Sequence, residues 1–197
     1  MEIILASGNK HKQREIEQIL APHRVLIPAD IGCDFAYEEN GTTFFENAFG
    51  KARHLFDSVR APVLADDSGL VVEALDGQPG VRSARYGETG GSPNMTDVDR
   101  YELLLKNMRN AQERCAFFVC CLVLYIGKHR FCVVEERFDG EITKAPVGSA
   151  GFGYDPVFFV KSEGKTVAEM SAFRKNEISH RGRALAGLRP VINAMNV

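Results

Sequence analysis

The first twenty residues change their hydrophobic period within a few positions, and this change limits the fold more than any other feature. Residues 3–6 form a short apolar run, and a polar loop at residues 7–10 follows it directly. Apolar side chains then recur at Ile16, Ile19 and Leu20, which is the spacing of an amphipathic helix. The segment is therefore predicted to be a strand, a tight loop and a helix, a pattern typical of α/β proteins.

Similar patterns continue along the chain. Further strands are predicted at residues 25–27, 61–65, 116–126, 130–138 and 157–160, and further helices from the capping box of Thr43 and Glu46, at 97–108 and at 179–194. The strands on either side of residues 127–129 are predicted to form an antiparallel part of the sheet. The glycine-rich segment 76–94 is predicted to be a long ordered loop or a mobile flap. Because no repeat or linker divides the chain, we expect one domain over residues 1–197.

Composition excludes several classes of partner. Lys and Arg total 24 against 26 Asp and Glu, so the net charge of −2 provides no global attraction to nucleic acid, and any phosphate binding must be local. The sequence reaches a polar loop at Ser7 and has no long apolar run, so we expect neither a signal peptide nor a membrane span. The five cysteines are odd in number, four of them lie in apolar stretches, and no CxxC pair occurs. We therefore expect reduced thiols, no structural zinc and a cytoplasmic protein.

Two adjacent carboxylates, Asp66 and Asp67, follow the strand predicted at residues 61–65. Like charges side by side are costly, and a divalent metal that binds hard oxygen ligands and substrate phosphates would balance them. At the carboxyl end of a strand they would lie where open α/β sheets place their ligands. The alternative is that Asp-Asp-Ser-Gly is only a polar turn.

Two other segments offer groups that bind anions. Ser7, Gly8 and Asn9 open a helix and present backbone N–H groups, a hydroxyl and an amide, with Lys12 one turn further on. This pattern is not a Walker A loop, and an ordinary capped helix start explains it as well. A second cation, Lys51, lies in a helix that is otherwise largely apolar, although a lysine that extends to water is the common explanation.

Three further motifs have both a functional and an ordinary explanation. The acidic pair Glu38-Glu39 either contributes a metal ligand or is a solvated loop. The loop 151–155 places aromatic side chains beside glycines, as a platform for a planar base requires, but a β-turn explains the glycines equally well. His180 and Arg181 begin a helix and either bind a purine carbonyl or phosphate, or lie exposed at the surface.

Together, these segments resemble the inosine triphosphate pyrophosphatase family, whose members act on ITP, dITP and XTP. The resemblance spans nearly the whole chain in the family's order and is carried by Ser7-Gly8-Asn9 with Lys12, Glu39, residues 43–48 with Lys51, residues 65–70, residues 79–81 and 83–86, residues 151–156 and residues 179–182. Ordered agreement at six places is more specific than any single motif.

The resemblance implies an elongated α/β fold with a mixed β-sheet flanked by helices, and two lobes with a nucleotide cleft between them. It also implies a homodimer, Mg²⁺ as the cofactor and a purine nucleoside triphosphate as the substrate. Neither a nucleic acid nor a membrane is expected as a partner.

The resemblance further implies a role for individual residues. Asp67 is similar to the catalytic carboxylate, and Glu39, Glu38 and Asp67 are expected to contact the metal. The substrate-binding set implied by the family comprises Ser7, Gly8, Asn9, Lys12 and Lys51 at the triphosphate, with Ser68, Phe152, Gly153, Tyr154, Asp155, Lys175, His180 and Arg181 as further contacts. Phe152 would stack on the base, and Asp155, His180 and Arg181 would recognise its edge.

We therefore expect hydrolysis between the α and β phosphates, which releases a nucleoside monophosphate and pyrophosphate and removes non-standard purines from the nucleotide pool. Two other functions remain open from the sequence. One is a pyrophosphatase for modified pyrimidine nucleotides on a similar fold. The other is a nucleotide sensor without catalysis, for which carboxylates arranged to activate water would have no use.

Overall fold

The fold is described from a computed structural model that covers residues 2–88 and 94–195. Its strands are β1 (Glu2–Leu5), β2 (Arg24–Leu26), β3 (Val63–Val72), β4 (Cys115–Gly127), β5 (Arg130–Ile142), β6 (Phe158–Val160) and β7 (Lys165–Thr166). Its α-helices are α1 (Lys10–Leu20), α2 (Phe44–Val59), α3 (Asp97–Asn107), α4 (Ala172–Ile178) and α5 (His180–Ala194). Short 3₁₀ helices, among them Gly80–Arg85 and Asp155–Val157, lie in the connections.

The strands form one mixed sheet in the order β2-β1-β3-β4-β5-β6-β7. Strand β1 pairs in parallel with both β2 and β3, whereas β6 pairs in antiparallel fashion with both β5 and β7. The predicted α/β class with a mixed sheet flanked by helices is confirmed.

The chain divides into two compact units, and neither is a continuous segment. The first unit consists of Met1–Ser68, Cys120–Glu136 and Ser179–Val197, and the second of Gly69–Val119 and Arg137–Ile178. Strands β3, β4 and β5 each contribute residues to both units. The single domain, the two lobes and the cleft stay predictions.

The first unit buries both faces of its part of the sheet. Because successive side chains of a strand point to opposite faces, Leu64 and its neighbour Val63 pack into different apolar clusters. The cluster around Leu64 includes residues of α1 and α5, and the cluster around Val63 includes Ala48, Ala52 and Leu55 of α2. Helices therefore cover both faces of the strand that carries the two aspartates.

The second unit has its own apolar core. Strands β3 to β6 and helix α3 contribute to it, together with aromatic residues from the connections. The rings of Phe118 and Phe158, both buried, lie 4.6 Å apart between their centroids. This core fixes the ends of the loops that carry the predicted base-binding residues.

One prediction about the aspartates is wrong. The strand predicted to end at residue 65 continues as β3 to Val72, so that Asp66 and Asp67 lie inside a buried strand and the polar-turn alternative also fails. Aspartate is disfavoured in strands. The strand tolerates these two because cationic side chains from three helices neutralise them, a tertiary effect that local propensity does not contain.

Other differences are smaller. Helix α4 and the two-residue strand β7 were not predicted, and Pro190 lies within α5, which continues to Ala194. The capping box of Thr43 and Glu46 at the start of α2 is confirmed. In the segment predicted as a loop or flap, a 3₁₀ helix covers Gly80–Arg85, and residues 89–93 lie outside the described residues.

Across residues 2–88 and 94–195, none of the helices combines the length and the apolar character needed to cross a membrane.

Candidate active site

The two adjacent aspartates have separate surroundings in the first unit. Asp66 extends to the side of β3 that packs on α1 and α5, and Asp67 extends to the side of α2, as the alternation of a strand requires. Both are buried, at 0% and 5% exposure. Adjacent carboxylates in the sequence are therefore held by different cations.

Asp66 is surrounded by donors. One of its carboxylate oxygens accepts from Lys12 Nζ at 2.6 Å and from Ser68 Oγ at 2.8 Å, and the other accepts from Arg181 Nε at 2.7 Å. The Cys120 thiol also donates to Asp66, at 3.5 Å. Burial alone would raise the pKa of Asp66, but the charges of Arg181 and Lys12 outweigh it and hold that pKa well below its usual range. Asp66 is thus a permanently ionised anchor.

Asp67 has fewer partners. Its oxygens accept from Lys51 Nζ and from Asn47 Nδ2, each at 3.2 Å. Burial raises the pKa of Asp67, and the charges of Lys51 and Lys12 reduce this shift without cancelling it. A carboxylate whose pKa is raised towards neutrality is a better proton acceptor than an ordinary one.

Lys51 connects the predicted metal ligands. Its ammonium donates to Glu39 Oε1 at 2.6 Å, to the backbone oxygen of Asp66 at 2.9 Å and to Asp67 Oδ1 at 3.2 Å. These contacts use all three of its donors. Burial would lower the pKa of Lys51, but Asp67 and Glu39 raise it. The alternative in which Lys51 extends to water is therefore wrong.

The two lysines of the predicted triphosphate set meet at one atom. Lys12 Nζ lies 3.4 Å and Lys51 Nζ 2.9 Å from the backbone oxygen of Asp66. The ammonium of Lys12 has two acceptors within the described ranges, one fewer than its donors. Lys12 thus retains one N–H donor for a ligand, whereas Lys51 would have to give up one of its present hydrogen bonds to bind a ligand.

Arg181 completes this group of charges. It donates to Asp66, to Ser68 Oγ at 2.9 Å and to Glu15 Oε2 at 2.6 Å, and it is only 2% exposed. The surface alternative for Arg181 is therefore wrong, and it is wrong for His180 too, which is 6% exposed in the first turn of α5. We call the seven charged residues the carboxylate–lysine cluster: Lys12, Glu15, Glu39, Lys51, Asp66, Asp67 and Arg181.

The loop before α1 has the form of a helix cap. Asn9 Oδ1 accepts from the backbone N–H groups of His11 and Lys12, and Ser7 Oγ accepts from that of Asn9. Beside Gly8 the space is open, since a side chain there would meet no atom within 4 Å. The cap explains Asn9 structurally, and the open side at Gly8 leaves room for an anion.

The residues of the cluster fit a divalent cation. Among the described residues, four carboxylates of the cluster form ion pairs with Lys12, Lys51 and Arg181. Across the described residues, no group of three or more His, Cys, Asp or Glu side chains is arranged to hold a metal on its own. Mg²⁺ commonly takes one or two carboxylates and completes its shell with phosphates and water. Glu39 and Asp67, which share the ammonium of Lys51, match that need, while Glu38 is exposed.

In the second unit, the predicted base-binding residues form a separate group around the glycine loop, residues 151–155. Lys175 Nζ donates to Asp155 Oδ2 at 2.7 Å and lies 4.5 Å from the centroid of the Phe152 ring. Asp155 Oδ2 also accepts from the backbone N–H of Phe152 at 2.9 Å. Tyr154 is buried and donates to the backbone oxygen of Ser83 at 2.9 Å. Phe152, Asp155 and Lys175 are thus brought together.

Sequence reasoning assigned no role to two residues that hold the cluster. Glu15 binds Arg181, and Asn47 donates to Asp67 while its Oδ1 accepts from Gly41 N at 2.8 Å. Spacing along the helices gives a usable signal, since Glu15 is three positions after Lys12 and Asn47 four before Lys51. Residues at these spacings share one side of a helix.

Comparison with protein families gives one clear result. The sequence model of the Ham1 family matches residues 3–191 of this chain. A dITP/XTP pyrophosphatase of Treponema denticola is 50% identical over 185 residues, which cover 94% of this chain and 95% of that protein. A dITP/XTP pyrophosphatase of Escherichia coli K12 is 44% identical over 190 residues, covering 93% of this chain and 94% of that protein.

Solved structures agree with these sequence relatives. A HAM1 protein from Coxiella burnetii superposes with a TM-score of 0.88 at 38% identity, covering 98% of this chain and 99% of that one. The Staphylococcus aureus Ham1 protein gives a TM-score of 0.86 at 36% identity, covering 99% of this chain and 100% of that one.

Proposed function

The chain belongs to the Ham1 family, and we propose on this basis that it hydrolyses the non-standard purine nucleotides dITP, ITP and XTP. The products are the nucleoside monophosphate and pyrophosphate. The activity for which its relatives are named, dITP/XTP pyrophosphatase, supports the substrate class. The reaction would remove non-standard purines from the nucleotide pool.

One observation carries the assignment of Asp67 as the catalytic carboxylate. Asp66 accepts from Lys12, Ser68 and Arg181 at 2.6–2.8 Å, whereas Asp67 accepts from Lys51 and Asn47 at the longer distance of 3.2 Å, and the pKa of Asp66 is shifted down while that of Asp67 is shifted up. Groups whose environments separate their pKa values in this way are typical of acid–base pairs in active sites. In our proposal Asp67 accepts a proton from the attacking water, the water oxygen bonds to the α phosphorus, and the bond from the α phosphorus to the bridging oxygen breaks.

The cations of the cluster serve the leaving group. Lys12, which keeps a donor, and Lys51, once it exchanges one, would offset the negative charge that develops on pyrophosphate. The loop of Ser7, Gly8 and Asn9, which is open on the side of Gly8, would bind the remaining phosphate oxygens at the positive end of α1. Most of the acceleration then comes from positioning and electrostatic stabilisation, as in phosphoryl transfer generally.

Mg²⁺ is the cofactor we propose, with Glu39 and Asp67 as its protein ligands. When bound, the ion supplies polarisation of phosphoryl oxygens and a lower pKa for water. Lys51 would hold the two carboxylates in place through its contacts of 2.6 and 3.2 Å. Ser68, which bridges Asp66 and Arg181, would stabilise the anchor beside them.

Recognition of the base is assigned to the glycine loop and to the start of α5. Phe152 would stack on the purine, and Gly153, Tyr154, Asp155, Lys175, His180 and Arg181 would shape and read its edge. Protein donors that hydrogen-bond to the 6-oxo group of a purine lose their acceptor when adenine, which has a 6-amino group, takes its place. An unpaired buried donor costs about 1–3 kcal/mol, and each ~1.4 kcal/mol of that cost corresponds to about tenfold discrimination.

We also propose a homodimer and a cytoplasmic location. Phe45 and Phe131 are 39% and 47% exposed, and both rings pack on Phe49, so the first unit carries an exposed aromatic patch. Such patches are typical of association surfaces. Sedimentation should show a dimer that Phe131→Asp weakens. The free state of all five cysteines supports a reducing compartment.

A substrate panel tests the function directly. The purified protein is incubated with Mg²⁺ and dITP, ITP, XTP, dATP, GTP, dUTP or methylated UTP, and pyrophosphate and orthophosphate are measured separately. We expect pyrophosphate from the first three substrates, and kcat/KM for dATP lower by at least about tenfold. Release of orthophosphate alone, or preference for the pyrimidine nucleotides, would contradict the proposal. Binding without turnover would indicate the sensor.

A further inference from the structure

A carboxylate outside every motif contacts the glycine loop. Asp97, the first residue of α3, accepts the backbone N–H of Gly153 on Oδ2 at 2.7 Å, although the two residues lie 56 positions apart in sequence. A hydrogen bond to an ionised acceptor is roughly twice as strong as one between neutral groups. This contact therefore restrains the loop from outside.

The glycine loop needs such restraint. Gly151 and Gly153 have φ angles of +80° and +63°, so Phe152 lies between two residues in the left-handed region. Glycines leave the backbone unusually free to change conformation. The N–H of Phe152 is bound by Asp155 at 2.9 Å, and the next N–H is bound by Asp97. Carboxylates thus hold the backbone on both sides of the ring.

Asp97 is itself held in one orientation. Its Oδ1 accepts from Arg100 at 3.1 Å, while Oδ2 is used by Gly153, so each oxygen has its own partner. Arg100, whose side chain is 15% exposed, donates at the same time to Glu88 at 3.0 Å. The contact to the loop is thus part of an ordered network of charges.

A purely helical role does not account for Asp97. An acidic residue in the first turn does stabilise a helix through the dipole. The cap of α3, however, is a capping box of Thr96 and Asp99: Thr96 Oγ1 accepts from the backbone N–H of Asp99 at 3.2 Å, and Asp99 accepts from the backbone and side chain of Thr96 at 2.8 and 2.6 Å. Asp97 and Asp99 therefore lie in the same helical turn and carry the same charge, but Asp97 is the one that contacts the loop.

We propose that Asp97 is a positioning residue that fixes the orientation of the Phe152 ring and so sets how tightly the enzyme binds the base. This inference rests on the proposed function for its consequence in catalysis. Asp97 accepts hydrogen bonds from Arg100 and from the backbone of Gly153, both in its own unit, and in our proposal it acts through the backbone of the loop.

Steady-state kinetics with Asp97→Ala, Asp97→Asn and the matched control Asp99→Asn give the first test. For Asp97→Ala we expect the KM for dITP to rise about three- to tenfold, the worth of one hydrogen bond, with kcat changed less than about twofold. Asp97→Asn keeps an acceptor and should recover part of the loss. Competitive inhibition by tripolyphosphate, which has no base, should not change. Asp99→Asn should leave KM unchanged.

A fluorescence measurement tests the positioning without any turnover. The chain contains no tryptophan, so Phe152→Trp introduces a single indole at the position in question. Adding Asp97→Ala to this variant should increase quenching by acrylamide and lower the fluorescence anisotropy, and adding Asp99→Asn should change neither.

Failure of the proposed function and failure of the inference about Asp97 give different results. If the wild-type protein does not hydrolyse dITP, the proposed function fails, and quenching alone decides whether Asp97 positions residue 152. If Asp97→Ala and Asp99→Asn give equal quenching, or if Asp97→Ala weakens tripolyphosphate inhibition as much as dITP binding, the inference is overturned.

Discussion

The carboxylate–lysine cluster and the glycine loop hold their functional side chains in different ways. In the cluster, Asp67 lies inside a strand and its partner Lys51 lies inside a helix, and both are buried. In the loop, Phe152 lies between two glycines with positive φ and depends on hydrogen bonds to its backbone. The side chains of the cluster are therefore held by a strand and a helix, whereas the ring of Phe152 is held by a loop whose backbone is restrained by hydrogen bonds.

This difference matches two chemical tasks. A group that accepts a proton must be held within a few tenths of an ångström, and strands and helices provide such precision better than loops. A platform for a base needs a planar contact, which contributes about 1–3 kcal/mol to binding and takes no part in the proton transfer. We therefore expect changes in the cluster to lower kcat or stability and changes at the loop to raise KM.

Asp67→Asn should produce the largest effect. The amide cannot accept a proton from water, so kcat for dITP should fall by about 10²–10⁴-fold while KM changes little. Pyrophosphate release measures the loss, and circular dichroism checks the fold. Asp57→Asn on α2, the same substitution at an exposed site, is the control. Retention of full activity by Asp67→Asn would show that the comparison assigns catalysis to the wrong residue.

Arg181→Met should reduce stability by about 3 kcal/mol, because it leaves the buried Asp66 and the partly buried Glu15 with one cation fewer. Denaturant unfolding measures the free energy. The matched change in the second unit, Arg174→Met, removes an exposed arginine that pairs with Glu163 and Glu177, and exposed pairs contribute little.

A double-mutant cycle sharpens this result. If Arg181 acts mainly as the counter-ion of Asp66, the double variant Asp66→Asn with Arg181→Met should lose clearly less stability than the two single variants added together. Strict additivity would indicate that Arg181 stabilises the unit through its other contacts.

Phe152→Ala should act on binding and not on the chemical step. Loss of one stacking contact costs about 1–3 kcal/mol, so the KM for dITP should rise by roughly five- to hundredfold. Initial rates over a range of dITP concentrations separate KM from kcat. Phe173→Ala, which removes a ring that is 75% exposed in the same unit, is the control. A fall in kcat at unchanged KM would remove the distinction between the two regions.

The sequence predicted the regular elements well where the hydrophobic period was strong. The amphipathic spacing of Ile16, Ile19 and Leu20 and the capping box of Thr43 and Glu46 correspond to α1 and α2. Helix α4 has only seven residues, too few for a periodic pattern to stand out. The limits of β3 were wrong because its strand character past residue 65 depends on partners distant in sequence.

The site was predictable as a set of residues but not as a set of contacts. The motif around Lys51 identified the residue, yet its three acceptors lie in two other parts of the chain, one at Glu39 and two at the adjacent Asp66 and Asp67. Likewise, nothing local indicates that Arg181 contacts Asp66, since 115 positions separate them. A side chain that acts through another residue and lies outside every motif, such as Asp97, becomes visible only when contacts are known.

The smallest effect we expect concerns pH and the capping boxes of two α-helices, α2 in the first unit and α3 in the second. Hydrogen bonds from Thr42 and Thr43 lower the pKa of Glu46, and hydrogen bonds from Thr96 lower the pKa of Asp99. A carboxyl whose pKa is lower in the folded state stabilises the fold above its unfolded pKa, about 4.3 for Glu and 3.9 for Asp. That contribution is lost as the pH falls through the folded pKa.

Glu46→Gln and Asp99→Asn should each lower the melting temperature at pH 7 by a small amount, and the difference from wild type should shrink below about pH 4. Thermal unfolding between pH 3 and pH 7 measures it. A difference in melting temperature that is constant with pH would mean that both caps act through neutral hydrogen bonding. A difference that shrinks at low pH for only one helix would mean that the charge of the capping carboxylate matters in one unit and not in the other.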